Sequence, residues 1–294
     1  MIPRIWSLTK IELFKFYRQR IFFISLFLVV LVVALSVLME KMSPTTKATV
    51  NGIAPLIAGC LNGFRLVTFL ILVIGALLFA SETTFGTIRT ILIAPIRRSE
   101  IVLAKAITVI ILALLFTLLI ELVAFGLSWT VYGFYNITDP TFPEIIHLAR
   151  SEMLLYMLYT FLHILLPLVA IGLMGLFIST LVENAGISVA ISIILYLVLD
   201  SFVANLFEEV SSYLFNPYWN YYLDTLKNMS EGALQEIWRF KAINSFLGVK
   251  AGEEVMLDSA RNLSVIKSFV IPIIYSIIFV ITSILAVHPV RKSY

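Results

Sequence analysis

Residues 153–182 read MLLYMLYTFLHILLPLVAIGLMGLFISTLV, thirty residues without an Asp, Glu, Lys or Arg. About 20 apolar residues of helix cross the ~30 Å hydrocarbon core of a bilayer. This run therefore spans it with turns to spare, either kinked at Pro167 or with its outer turns in the interface. The pattern recurs in both directions. Residues 21–39 are uncharged, 54–81 carry only Arg65, 106–131 only Glu121, 184–207 only Asp200, and 268–287 no charge at all. Glu183 and Asn184 mark a hairpin between the fourth and fifth runs. With 60% hydrophobic and 13% charged residues over 294 positions, a water-soluble globule could not cover itself with polar side chains. The sequence predicts an all-α, polytopic membrane protein with six transmembrane helices. It reads as one membrane domain, 1–294, without an internal repeat or a Gly/Ser linker.

Orientation follows from Lys and Arg in the flanks and short loops. With both termini on one side, that side holds Arg4, Lys10, Lys15, Arg18, Arg20, Arg89, Arg97, Arg98, Lys105, Arg291 and Lys292, eleven in all. The short segments opposite hold four, namely Lys41, Lys47, Arg65 and Arg150. The six cations of the long external loop, 208–267, carry little weight because long loops translocate regardless of charge. Both termini are thus expected in the cytoplasm. The first run ends in Val37, Leu38 and Met39 rather than in small residues, so it is expected to stay as an anchor. Before it, residues 1–20 have helical spacing, with Ile2, Ile5, Trp6, Leu13, Phe16 and Tyr17 on one side and Arg4, Lys15 and Arg18 on the other. That pattern predicts an interfacial helix on the cytoplasmic leaflet. In the external loop, Trp219, Tyr218, Tyr221 and Tyr222 cluster as aromatic side chains do at headgroup level.

The cytoplasmic loop 82–105, between the second and third spans, is the most distinctive stretch. It runs Glu82, Thr83, Thr84, Phe85, Gly86, Thr87, Ile88, Arg89, Thr90, Ile91, Leu92, Ile93, Ala94, Pro95, Ile96, Arg97, Arg98, Ser99, Glu100 and on to Lys105. Thr87 can cap a short helix from Ile88, and Pro95 stops it. Ile88, Ile91 and Leu92 would give that helix an apolar surface, and Arg89, Arg97 and Arg98 could pair with acidic groups or lipid phosphates. In its Glu82, Gly86-Thr87, Leu92, Pro95, Arg98 and Lys105, the stretch resembles the first cytoplasmic loop of ABC-2 type ABC transporter permeases. The amphipathic start, the six spans and the large last external loop extend that resemblance along the chain.

The resemblance implies a permease subunit of an ATP-driven transporter in a prokaryotic cytoplasmic membrane, usually an exporter. Such a subunit works with a second permease copy or a homologous permease, and a separate cytoplasmic ABC ATPase receives its short coupling helix. ATP and Mg would then sit on the partner. This chain is expected to bind no cofactor of its own, and no G-x-x-x-x-G-K-[ST] phosphate loop occurs in it. An alternative within the resemblance is a scaffold or force-transmitting subunit that moves no solute and works through an external partner protein.

Other classes fare worse. A net charge of +3 is too balanced to favour nucleic acid over membrane lipids as a partner. One cysteine, Cys60, cannot make an internal disulfide, and His147, His163 and His288 are too scattered for a metal cluster. Neither H-E-x-x-H nor G-x-S-x-G occurs, which leaves no enzyme signature. Charges within spans are costly and usually face protein or water. Counted at about 1.5 Å per residue from the cytoplasmic helix ends, Glu121 lies roughly 21 Å up, Arg65 and Asp200 roughly 24 Å and His163 roughly 28 Å. These four form a candidate outer polar layer or pathway, within which Arg65 and Glu121 are expected to pair. The bland alternative assigns Arg65 and Asp200 to helix ends and Glu121 to an interhelical hydrogen bond.

Overall fold

Long apolar runs have no choice but helix in a bilayer, where every backbone N–H and C=O must be satisfied within its own segment. The computed structural model describes residues 2–40, 53–86, 97–133, 150–199 and 258–287, and among these all regular structure is helical. The helices are α1 (Ile2–Arg18), α2 (Arg20–Glu40), α3 (Ile53–Thr84), α4 (Arg98–Val131), α5 (Arg150–Leu181), α6 (Ala185–Leu197) and α7 (Asp258–Val287). Five of them, α2, α3, α4, α5 and α7, are long and apolar enough to cross a membrane. The shorter apolar α6 begins at the expected fifth span, whose outer part, 200–207, lies outside the described residues. So do the expected short helix after Thr87, the aromatic cluster around Trp219 and most of the 208–267 loop.

Several helices outrun the sequence boundaries. α4 begins at Arg98 rather than at 106, and α7 at Asp258 rather than at 268. At 34 residues, α4 is ~51 Å long against a hydrocarbon core of ~30 Å, more than an upright crossing needs. Hydropathy marks where the lipid starts, whereas the helix continues for as long as its backbone bonds and polar neighbours support it. Pro167 and Pro272 both lie inside continuous helices.

α3 and α5 form the centre. Their spanning windows are 67% and 72% buried, against 28% for α2 and 17% for α7. α3 packs against α2, α4, α5 and α6, and α5 also carries α7. Glycines allow this closeness. A Cβ on Gly75 would run into the Gly172 carbonyl oxygen, and one on Gly175 would lie 2.5 Å from the Leu72 carbonyl oxygen. Lower affinity for lipid is not what joins such helices. In a bilayer the attraction comes from close van der Waals packing, which small residues permit. Four residues apart on another side of α3, Gly59 and Gly63 make room for α2 and α4. A Cβ there would lie 2.7 Å from Val37 Cγ2 and 2.7 Å from Val33 Cγ2, and within 3.3 Å of Ala124 and 3.0 Å of Ile120.

α1 lies against α4 and is rolled relative to its expected apolar side. Ile5, Thr9, Glu12 and Phe16 make the inward stripe, while Trp6 and Tyr17, expected beside Ile5 and Phe16, are 50% and 59% exposed. The cause is electrostatic, because Glu12 turns inward to meet Lys105 of α4.

Candidate functional site: a clasp of four charges

Lys105 is the largest buried cation of the described residues, with no solvent exposure at all. An ammonium group has three N–H donors and no acceptor, and each finds a partner. Lys105 Nζ lies 2.9 Å from Glu82 Oε1 of α3 and 3.3 Å from Glu12 Oε1 of α1, and it donates to the Leu78 carbonyl at 2.7 Å. The Phe79 ring centroid is 5.0 Å away, a cation–π distance. Lys15 closes the group by reaching the same two carboxylate oxygens, each at 3.0 Å. Two carboxylates and two ammonium groups thus join α1, α3 and α4 where they leave the membrane.

Burial works against the charge of Lys15, but Glu12 and Glu82 outweigh it and hold its pKa above the ordinary 10.5. A raised lysine pKa stabilises the fold fully below the unfolded value, and that stabilisation is lost as pH rises through the folded value. In thermal unfolding followed from neutral pH into the range above 10.5, the stability difference between wild type and Lys15→Met should therefore hold steady and then shrink. A difference that grows with alkalinity would contradict the pairing.

The ends of the 82–105 loop are fastened on three further sides. α3 stops at Phe85 and Gly86, whose φ of +71° is a left-handed conformation that glycine adopts without strain. The Gly86 N–H donates to the Thr83 carbonyl at 3.1 Å. Beside it, the Thr83 hydroxyl donates to the Glu183 carbonyl at 2.6 Å, and the Thr84 hydroxyl accepts the Ala185 N–H at 2.9 Å. The α5–α6 hairpin is thereby attached to the loop. Asn184 caps α6 by accepting from the Gly186 and Ile187 N–H groups, as asparagine commonly does at an N-cap. At the other end, Glu100 reaches back to the Arg97 N–H at 3.4 Å, and Arg98 Nη1 donates to the carbonyl of Val287, the last residue of α7, at 2.6 Å. Thr9 of α1 adds a contact to the Ala104 carbonyl at 3.4 Å.

Of the coupling residues named from sequence, Glu82, Gly86, Arg97 and Arg98 lie in this clasp, and Arg97 is exposed. Thr87, Ile88, Arg89, Ile91, Leu92 and Pro95 lie outside the described residues. The sequence reading gives Glu12 no role and Lys15 a place only among the cytoplasmic cations and on a basic face. A signal was present: Glu12 is the one acidic residue of the first 39, set among five cations.

The Arg65–Glu121 pair expected within the outer polar layer is not formed. Glu121 is buried at 6% exposure, whereas Arg65 is exposed, and no ion pair joins them among the described residues. Their depths were comparable, but depth does not fix direction. Gly63 faces Ile120 of α4, and Arg65, two residues on, points some 200° around α3 from that face. His163 falls on α5, and Asp200 lies outside the described residues.

The described residues form an all-helical bundle with five helices long and apolar enough to cross a membrane, as expected of an all-α polytopic membrane protein. No curated protein matches the chain. The sequence pattern of the ABC-2 family transporter protein matches residues 8–199, which holds Glu12, Lys15, Glu82 and Lys105 and covers more than half of the chain. The chain therefore belongs to the ABC-2 transporter family and is a multi-pass integral membrane protein, a permease subunit of an ABC transporter.

Proposed function

We propose that this permease is an exporter of six spans, with α6 opening the fifth, and that it works as a dimer on a separate cytoplasmic ATPase. The carrying observation is the clasp. Residues 87–96 leave α3 at Gly86 and rejoin α4 at Arg97, and both attachment points are held by helices from across the bundle. A push on those ten positions would reach α1, α3, α4, α6 and α7 together, which suits a loop that receives force from an ATPase. Thr87, Ile88, Arg89, Ile91, Leu92, Pro95 and Arg97 would supply the docking surface, and Glu82, Gly86 and Arg98 its mounting. The eleven cytoplasmic cations support cytoplasmic termini in a prokaryotic inner membrane. Buried Glu121 would contribute to an outward polar layer with Arg65, His163 and Asp200. ATP and Mg would be held by the partner, and a second permease copy or a homologue would complete the pathway.

Purification of the tagged chain in mild detergent, with identification of every copurifying protein, tests this. An ABC ATPase should be recovered, and its absence would sink the coupling. Gly86→Pro and Arg97→Glu should both leave insertion intact while uncoupling ATP hydrolysis from flux. Proline is locked near −65° and cannot take the +71° of Gly86, and a reversed charge at exposed Arg97 repels an acidic partner face. Flux with unchanged ATP dependence in both variants would refute the role. ATP hydrolysis with no flux in wild-type vesicles would favour the force-transmitting alternative.

A further inference from the structure

With Glu12 turned into the clasp, the outward half of α1 carries no acid. Arg4, Lys10 and Arg18 are exposed there, and so are Trp6, Phe14 and Tyr17, at 50%, 56% and 59%. They are arranged as pairs one turn apart: Lys10 Nζ lies 5.8 Å from the Trp6 ring centroid and the Arg18 guanidinium 4.9 Å from that of Phe14. Only Gln19 separates α1 from α2, which opens with Arg20 and then exposes Ile21, Phe23, Ile24 and Phe27. Those apolar side chains mark where the hydrocarbon begins, and because Thr9 and Glu12 meet the neighbouring positions Ala104 and Lys105 of α4, α1 crosses the bundle near that level, at the depth of lipid headgroups. At that depth an aromatic ring rests on the acyl boundary while a neighbouring cation meets phosphate.

We propose that the outward face of α1 is a binding surface for anionic phospholipid, with Lys10 and Arg18 as its charge contacts and Trp6 and Phe14 as the rings that seat them. The alternative macromolecule is an acidic face of the ATPase. It fits less well, since a soluble partner would have to cover three large aromatic side chains at the level where α2 enters lipid.

The test uses the purified full-length chain in vesicles of phosphatidylcholine with increasing phosphatidylglycerol, one of the two lipids being brominated. The Trp6 signal is taken as the difference between wild type and Trp6→Phe. Its quenching should be half complete at a lower mole fraction of brominated phosphatidylglycerol than of brominated phosphatidylcholine. Each of Lys10→Gln and Arg18→Gln should reduce that preference about fivefold, the factor equivalent to the roughly 1 kcal/mol that a basic side chain gains at an anionic surface. Lys10→Arg should preserve it. Coincident curves for the two lipids in wild type would overturn the proposal. So would glutamine variants that keep the preference, with or without loss of a copurifying ATPase. No nucleotide is present, so this outcome is separate from that of the coupling experiment.

Discussion

Lys105→Met is expected to cost several kcal/mol, on the order of 3 to 5, because it leaves the Glu12 and Glu82 carboxylates close together with only the half-exposed Lys15 between them. The attraction within a buried ion group is largely offset by desolvation, so its presence adds little net stability. Removal of one partner is a different matter, since the remaining charge keeps its desolvation cost and loses its compensation. The direction of rescue makes the argument specific. Adding Glu82→Gln to Lys105→Met should restore part of the loss, because two neighbouring carboxylates become one. Thermal unfolding of the four proteins in one detergent checks this as a double-mutant cycle. Strict additivity within about 0.5 kcal/mol would show that the two groups do not interact, against the 2.9 Å contact.

A second large effect is expected at Gly75. Its backbone faces that of Gly172 so closely that any Cβ meets a carbonyl oxygen rather than a movable side chain. Overpacking costs ~1–3 kcal/mol where neighbours can rearrange, and a backbone obstacle cannot swing aside, so α3 and α5 would have to separate. Gly75→Val should therefore remove most folded protein from a detergent extract, and Gly75→Ala should lower the melting temperature. Gly126→Ala is the matched control, because a Cβ on Gly126 of α4 meets nothing within 4 Å. Alanine is the better helix former by ~0.5–1 kcal/mol, so that variant should be neutral or slightly stabilised. Equal losses at Gly75 and Gly126 would refute backbone contact between α3 and α5.

Five of the six expected spans were legible in the sequence because lipid imposes a one-dimensional requirement: enough apolar residues in a row. The loop motif was legible because Gly86 and the acid and basic residues around it sit at fixed spacings along the chain. What hydropathy could not supply was azimuth. Arg65 and Glu121 share a depth but not a direction, and only the packing of Gly59 and Gly63 against Ala124 and Ile120 sets the rotation of α3 against α4. The roll of α1 was hidden for a related reason. Its apolar residues are spread widely enough to allow more than one inward face, and a single carboxylate decided between them through a lysine far along the chain. Where a helix starts was also hard to read, as the early starts of α4 and α7 show, since both extensions mix charged with apolar residues.

The clasp also fixes an order of events during synthesis. Glu12 and Lys15 leave the ribosome before their partners, since the oxygen that Lys15 seeks on Glu82 is 67 residues behind it and Lys105 is 93 residues behind Glu12. Until the third span has begun to emerge, α1 lacks α4, its main packing partner, and Glu12 lacks Lys105. α1 is thus made well before the helices that it docks against, and it is seated only once the third span has begun. A nascent chain that stalls between Glu82 and Lys105 would leave both carboxylates without their deepest cation, a state that quality-control machinery could tell from the finished protein.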